Sequence, residues 1–438
     1  MFSRLFSRTS LLIASLLIAA LAIVIVVFTP AGPEEEEDAG VTTLYFADNL
    51  SAAQQTIIDR FNERYRGRVQ VVPINLPFTK FSTNERKQLL TRALRSKSSR
   101  IDIFAVDVVW TPRFVKWAEP LSRYFSAKEQ QAFLPQALAS CFSGGELVSV
   151  PFYFDIGILY YRRDLLQALP DFAEVERKLK ASMTWEDFIE LGRRFAARQP
   201  SFYLFPADSY EGLMCSLVEN IGHQHPVLIS GDSLGINTPA AQRALQLLVD
   251  LVGRYRLTPP AVTGYKEVDV YEHALAEDAL FFRGWPGNLR TYESRYGDKV
   301  KAIAFAALPH FAGSPPAAVF GGWNLMIARD SNQKAAALEF LKFATSREMQ
   351  RLVYETMGYL PAIHSVYDDS LFCARHPDLR YYRQLLATGM HRPALVEYTK
   401  ISDILSFFAH RAIKQEISVP AALAGAAAMI RSQKVLIN

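Results

Sequence analysis

The chain has 438 residues, of which 50% are hydrophobic, 12% aromatic and 21% charged. Leaving out the first forty gives 438 − 40 = 398 residues, enough for roughly two to three globular units, of which we expect two. This composition excludes a disordered, collagen-like or coiled-coil protein. From Val41 onward the charge balance is 46 − 39 = +7, with no block of five basic residues, so we do not expect nucleic-acid binding.

An apolar segment lies near the start of the chain. Residues 11–28 are apolar except Ser15, which is long enough to cross a bilayer as a helix. Two arginines lie within residues 1–10, and residues 34–38 are all acidic. Positive residues are retained on the cytoplasmic side, so we expect a cytoplasmic N-terminus and a membrane anchor at 11–28. The rest of the chain is then expected to face the periplasm or the cell exterior.

A cleaved signal peptide is the alternative for this segment, because residues 20–22 read Ala-Leu-Ala and could be a cleavage site. The apolar run continues past that site to Phe28, which favours the uncleaved anchor. No cysteine lies near its end, which excludes a lipid anchor. Residues 29–40 carry prolines and acidic residues and are expected to form an extended, acidic tether.

Strands and helices are predicted to alternate after the tether. The helix that follows the first strand is predicted to begin with Ser51 and Gln54 as a capping box. The predicted order is strand 41–47, that helix, strand 69–76, amphipathic helix 86–94 and strand 101–109. Such alternation indicates an α/β fold with a mostly parallel sheet covered on both faces.

Further along the chain, helix starts are signalled by a hydroxyl residue followed by proline or an acidic residue. These signals place caps at Thr111, Thr184, Thr238 and Thr345. The last predicted helix spans residues 419–436 and is rich in alanine.

Two motifs in the sequence are of the kinds that carry catalytic chemistry. Gly-Asp-Ser233-Leu-Gly matches the G-x-S-x-G of serine hydrolases, but the next helix begins only near Thr238, which favours a simple turn. His223 and His225 lack a third ligand nearby and are expected in a loop. We expect no cofactor and no metal. The cysteines Cys141, Cys215 and Cys373 allow at most one disulfide, and three buried free thiols are favoured over it.

Aromatic residues stand beside carboxylates and glycines at several chain turns. Asp107 closes a buried strand, Tyr153 and Asp155 open the next apolar run, and Trp285 and Trp323 lie in glycine-containing turns. Taken singly, each is more often a core or capping residue. Together they suit a sugar, because carboxylates accept hydrogen bonds from vicinal hydroxyls and flat rings pack on the C–H face of a pyranose. In open α/β sheets such groups gather beyond the carboxyl ends of strands.

At these residues the sequence resembles the extracellular sugar-binding proteins of ABC importers, of the maltose- and trehalose-binding type. The resemblance runs from about Thr43 to the C-terminus. Its most specific stretches are residues 101–110, 150–166, 281–286, 307–309 with 320–324, 357–361, and the late R-P…Y…S segment of Arg392, Pro393, Tyr398 and Ser402.

This resemblance implies a type II periplasmic-binding-protein fold, with two α/β lobes joined by three crossovers and the ligand between them. The crossovers are expected near residues 151–152, 304–309 and 359–364. The N-lobe is then expected to contain 41–152 with 306–360, and the C-lobe 153–305 with 361–438.

The resemblance also implies which residues bind the ligand. Its cleft carboxylates correspond to Asp107 and Asp155. The other implied ligand-binding residues are stacking rings, glycines and a late arginine, namely Tyr153, Trp285, Trp323, Gly321, Gly322 and Arg392. The variable region around Asp48 adds Asn49, Thr83 and Arg86.

The implied function is to bind a sugar outside the cytoplasm and deliver it to the membrane subunits of an ABC permease. Two alternatives stay open at this point. One is a carbohydrate-active enzyme that uses Asp107 and Asp155 as an acid/base pair. The other is a membrane-tethered sugar sensor. The binding function is favoured, so no catalytic residue is expected.

Overall fold

The computed structural model describes residues 40–77, 80, 83–96, 101–195, 201–223 and 235–432. The predicted cytoplasmic segment, the anchor at 11–28 and nearly all of the tether lie outside this part of the chain, as do Ser233, His225 and residues 433–438. Within the described residues, no helix is long and apolar enough to cross a membrane.

Twelve strands are present in the described part of the chain. In chain order they are β1 Thr42–Asp48, β2 Val69–Asn75, β3 Ile103–Asp107, β4 Phe142–Ser143, β5 Glu146–Leu147, β6 Val150–Ile156, β7 Ile158–Arg162, β8 Tyr203–Leu204, β9 Phe281–Gly284, β10 Ile303–Ala306, β11 Ala318–Ile327 and β12 Gly389–Met390.

The strands form two main sheets. The first has the order β12-β11-β3-β1-β2, with β6 also paired to β11, and the second has the order β10-β7-β9-β8. Strands β4 and β5 make a separate hairpin. We call the first sheet with its helices the N-lobe and the second the C-lobe.

The predicted mostly parallel sheet is confirmed only in part. Strands β1, β2 and β3 are parallel, as the strand-helix alternation requires. Strand β11, however, runs antiparallel to both β3 and β6, and β7 runs antiparallel to β9 and β10.

The chain first passes between the sheets at Gly157, since β6 ends at Ile156 and β7 begins at Ile158. The crossing was expected near residues 151–152 but lies later in the chain. The reason is that β6 keeps its pairing with β11 as far as Ile156. The return to the N-lobe lies between β10 and β11 and overlaps the expected stretch 304–309.

The C-terminal part of the chain, from about Leu360, contacts both lobes. Leu360 accepts a hydrogen bond from the Phe154 backbone in the N-lobe, whereas Tyr382 stacks on Phe305 in the C-lobe. Strand β12 then pairs with β11 of the first sheet. The expected assignment of the whole of 361–438 to the C-lobe is therefore too simple.

Twenty α-helices pack around the sheets in the described residues. They are α1 Ala52–Arg64, α2 Thr83–Ser96, α3 Thr111–Phe114, α4 Ala127–Gln131, α5 Pro135–Ala139, α6 Arg163–Leu166, α7 Phe172–Lys180, α8 Trp185–Phe195, α9 Glu211–Ile221, α10 Pro239–Gly253, α11 Glu267–Ala276, α12 Glu293–Tyr296, α13 Asp298–Lys301, α14 Lys334–Ala344, α15 Arg347–Met357, α16 His364–Tyr367, α17 Ser370–Arg375, α18 Asp378–Leu386, α19 Tyr398–Ile413 and α20 Val419–Arg431.

Three of the predicted helix caps are confirmed. Ser51 and Gln54 form the predicted capping box of α1, Thr238 accepts from the Ala241 backbone, and Thr184 accepts from the Asp187 backbone. These caps satisfy N–H groups that the first helical turn leaves without partners.

The caps predicted at Thr345 and Thr111 are wrong. Ser346 caps α15, and the Thr345 hydroxyl instead donates to the Leu341 carbonyl at the end of α14. Thr111 is buried and accepts a hydrogen bond from Asn324 of β11, so a long-range partner occupies it. All three cysteines are buried and free, as predicted.

Candidate functional site

Strand β11 brings the predicted site residues of the N-lobe together. Its Trp323 pairs with Asp107 of β3 on one side and with Tyr153 of β6 on the other. Two residues earlier, Gly321 pairs with Asp155 of β6. Residues far apart in sequence therefore share one end of the first sheet, close to the crossing into the C-lobe.

Asp155 is a buried carboxylate with an open hydrogen-bonding position. Its side chain interacts with the Leu360 backbone N–H, but its Oδ1 has no hydrogen-bond partner among the described residues. Burial raises the pKa of Asp155 well above its ordinary value. A donor supplied from outside the chain would relieve the cost of this unsatisfied oxygen.

Each of the three predicted stacking rings has a protein group against it. Tyr153 stacks on Tyr359 with ring centroids 4.4 Å apart. The guanidinium of Arg86 lies 4.3 Å from the ring centroid of Trp323. The guanidinium of Arg283 lies 3.8 Å from the ring centroid of Trp285, which is half-buried. The rings are thus held in place by the protein itself.

Gly321 and Gly322 allow close approach of the chain segments at this point. A Cβ at Gly321 would lie 2.8 Å from the ring of Trp285, which comes from the C-lobe. Gly322 has a φ of +113°, and a Cβ there would lie 2.4 Å from the carbonyl oxygen of Tyr153. Both positions therefore require glycine, one for contact between lobes and one for backbone conformation.

Arg392 connects the two lobes. Its Nη2 donates to Asp107 of the N-lobe at 3.1 Å, and its Nη1 donates to Glu211 of α9 in the C-lobe at 2.5 Å. Burial raises the pKa of Asp107, and the positive charge of Arg392 lowers it in part. The cleft arginine of the sequence prediction is therefore a buried bridge between two carboxylates.

Glu211 explains the late R-P…Y…S segment. Besides Arg392, its carboxylate accepts hydrogen bonds from the hydroxyls of Tyr398 and Ser402. All three donors of the segment thus meet one acceptor. Sequence reasoning did not find Glu211, because no local signal links residues this far apart in the chain.

The variable region supplies another buried pair. Arg86 of α2 donates to Asp48 at the end of β1 at 3.2 Å. Asn49 is half-buried, and its backbone N–H donates to the same carboxylate. Thr83 begins α2, and its side chain lies outside the described part of the chain. Of these three predicted positions, Arg86 adjoins the aromatic site directly.

No group of three or more His, Cys, Asp or Glu side chains that could hold a metal ion occurs in the described residues. The arrangement instead combines flat rings, buried carboxylates and arginines from two lobes. These groups can surround an uncharged polar molecule and hydrogen-bond to it.

The two α/β lobes, the crossings between them and the polar and aromatic side chains where they meet define a type II solute-binding fold of the periplasmic-binding-protein kind. The chain belongs to the bacterial extracellular solute-binding proteins, whose family model matches residues 45–351. This membership assigns the matched part of the chain to the extracytoplasmic side.

Individual relatives agree with this assignment. A probable ABC transporter-binding protein of Deinococcus radiodurans is 29% identical over 336 residues, which cover 74% of this chain and 78% of the relative. The maltose-bound MalE3 of T. maritima has 26% identity and a TM-score of 0.79, covering 90% of this chain and 100% of its own. The GacH receptor of Streptomyces glaucescens has the same fold, at 18% identity and a TM-score of 0.74, covering 90% of this chain and 98% of its own.

Proposed function

We propose that the chain is the ligand-binding subunit of an ABC importer and that it binds a sugar, such as the disaccharide maltose or trehalose, between its lobes. The observation that carries this proposal is the buried Oδ1 of Asp155, which lacks a hydrogen-bond partner among the described residues. It lies opposite Gly321, the residue that Trp285 approaches from the C-lobe.

A sugar fits this position for two physical reasons. A hydroxyl can donate to Asp155, and an acceptor left without its donor in a buried site costs free energy, which discriminates against analogues without that hydroxyl. The apolar face of the sugar ring can pack on Trp285, whose surface is only half-buried. The names of similar proteins support this ligand class, since one was solved with maltose and another with α-D-tagatose.

Closure of the lobes is proposed to follow from ligand contacts with both of them. A ligand shifts the equilibrium toward the closed form only by its higher affinity for that form. Arg392 already joins Asp107 of the N-lobe to Glu211 of the C-lobe in this structure, so the ligand is expected to add to an existing contact. The closed form is then proposed to dock on the membrane subunits of the permease.

The test is calorimetric titration of the full-length chain, in a detergent without a sugar headgroup, with maltose, trehalose, glucose and an amino acid as probes. Saturable binding of a sugar, weakened about tenfold in Asp155→Asn, is expected, since a buried hydrogen-bonding group left without its partner costs about 1–3 kcal/mol. Asp298→Asn changes an almost fully exposed carboxylate and is the matched control.

Absence of binding to every sugar, or equal loss of affinity in both variants, contradicts the sugar assignment. Delivery to a permease is tested separately, by uptake of the labelled sugar into cells. Cells without the gene should lose uptake, and the wild-type gene, but not the Asp155→Asn gene, should restore it.

A further inference from the structure

A fully buried ion pair lies behind the tryptophan of the C-lobe. Arg283 of β9 donates to Glu219 of α9 through two nitrogens, at 2.8 and 3.3 Å. The side chains are 0% and 5% exposed. Burying two charges costs desolvation free energy that their attraction does not reliably repay. The pair is therefore weak evidence for a stabilising role, and a functional role is considered.

The pair holds the ring of Trp285 from one side. The guanidinium carbon of Arg283 lies 3.8 Å from the ring centroid of Trp285. The backbone of Trp285 is fixed as well, because its N–H donates to the Tyr271 hydroxyl at 2.8 Å and its carbonyl accepts from the Tyr160 hydroxyl at 2.7 Å. Backbone and ring are therefore held by separate contacts.

The same pair reaches the first crossing between the lobes. Glu219 Oε1 accepts from the backbone N–H of Val319 in β11, at 3.4 Å. A Cβ at Gly157 would lie only 2.1 Å from that oxygen and 3.0 Å from Nη2 of Arg283. The carboxylate is therefore packed between the ring support and the crossing.

We infer that Arg283 is a positioning residue of the ligand cleft, which holds the Trp285 ring in the orientation that receives the ligand and ties it through Glu219 to the crossing at Gly157. This inference rests on the proposed function in one respect, namely that Trp285 packs on the ligand. Arg283 is expected to affect ligand binding only through the ring of Trp285.

Arginine suits this position better than lysine. A guanidinium is planar, so it can stack on the indole while its edge makes a two-point contact with Glu219. The compact ammonium of lysine cannot do both. Arg283→Lys therefore keeps the charge and removes the flat support, which separates a positioning role from a purely ionic one.

The first experiment needs no ligand. The full-length chain is labelled with fluorotryptophan, which gives five fluorine NMR resonances, one for each tryptophan. The Trp285 resonance is assigned by its loss in Trp285→Phe. We expect Arg283→Lys to shift or broaden that resonance while the other four stay in place. Arg162→Lys changes another buried arginine of the second sheet, paired with Asp164 and Asp278, and is expected to leave it unchanged.

The second experiment uses maltose and a double-mutant cycle. Arg283→Lys is expected to weaken binding about tenfold in the wild-type background and to have almost no further effect in Trp285→Ala, because the ring through which it acts is then gone. Thermal unfolding of each variant verifies folding. Equal losses of affinity in both backgrounds overturn the inference.

The outcomes distinguish this inference from the proposed function. If the wild-type chain binds none of the sugar probes, the proposed ligand class fails, and the fluorine spectra alone decide whether Arg283 positions the ring. An unmoved Trp285 resonance in Arg283→Lys overturns the inference. If Arg283→Lys does not fold, the double variant Arg283→Met with Glu219→Gln replaces it, because removing both charges leaves no buried charge unpaired and loss of the flat support should shift the same resonance.

Discussion

The two lobes contain the same three kinds of side chain in the same order of contact, a carboxylate on an arginine and that arginine on a tryptophan. We call them the N-lobe triad and the C-lobe triad, Asp48–Arg86–Trp323 and Glu219–Arg283–Trp285. The N-lobe pair has one contact at 3.2 Å, whereas the C-lobe pair has two, at 2.8 and 3.3 Å.

The two arginines also differ in the direction of their pKa shifts. Burial raises the pKa of Asp48 to about 6 and lowers the pKa of Arg86. Burial also acts to lower the pKa of Arg283, but the groups around it, Glu219 first among them, more than offset burial, and the pKa is raised. Burial alone therefore does not fix the direction of the pKa shift.

The largest expected effect is the loss of the C-lobe pair. Glu219→Gln leaves Arg283 as a buried charge without its counterion and is expected to lower the free energy of unfolding by about 3–5 kcal/mol. In the N-lobe, Asp48→Asn also removes a counterion, that of Arg86, but it is expected to cost less than Glu219→Gln at neutral pH, because burial already penalises the charged form of Asp48. Urea unfolding of both variants measures the contrast, and equal costs would contradict it.

The second expected effect is a pH dependence that belongs to the N-lobe triad. With its pKa raised from 3.8 to about 6, Asp48 holds its proton more tightly in the folded chain than in the unfolded one. The free energy of unfolding should therefore fall as the pH rises from about 4 to about 6, by up to about 3 kcal/mol.

The contribution of Asp48 is isolated by comparing the wild type with Asp48→Asn, since other buried carboxylates also titrate. The wild type should lose its advantage over this variant as the pH rises through the same window. A difference between the two that stays constant from about pH 4 to about pH 7 would sink this interpretation.

The third effect concerns the space around the C-lobe pair. Gly157→Ala places a Cβ 2.1 Å from Glu219 and should force the pair to move, at a cost of about 1–3 kcal/mol. Gly264→Ala is the control, since nothing lies within 4 Å of a Cβ there. Similar midpoints of urea unfolding for the two variants would show that the pair adapts freely.

Much of this architecture could be predicted from the sequence. The parallel order of β1, β2 and β3 follows from local hydrophobic pattern and caps, which depend on residues a few positions apart. The candidate site residues on β6 and β11 were predicted from their places beside glycines and apolar runs and from the family resemblance. Such signals are local, and local signals predict elements well.

The partners of the arginines could not be predicted in the same way. Arg392 meets Glu211 and Arg283 meets Glu219 because α9 carries both carboxylates and packs beside β11. A lone carboxylate on a helix looks in sequence like any solvent-facing residue. The contacts of both triads therefore depend on topology, which sequence patterns do not specify.

The smallest expected effect tests whether the backbone or the side chain fixes the tryptophan of the C-lobe triad. Tyr160→Phe removes the hydroxyl that donates to the Trp285 carbonyl at 2.7 Å and should cost about 1 kcal/mol in urea unfolding. If Arg283 sets the ring orientation, ligand affinity should change far less in Tyr160→Phe than in Arg283→Lys. If Tyr160→Phe lost as much affinity as Arg283→Lys, the backbone of Trp285 would set the ring orientation. The C-lobe triad would then have the same contacts as described here, but its arginine would not set the orientation of the tryptophan ring.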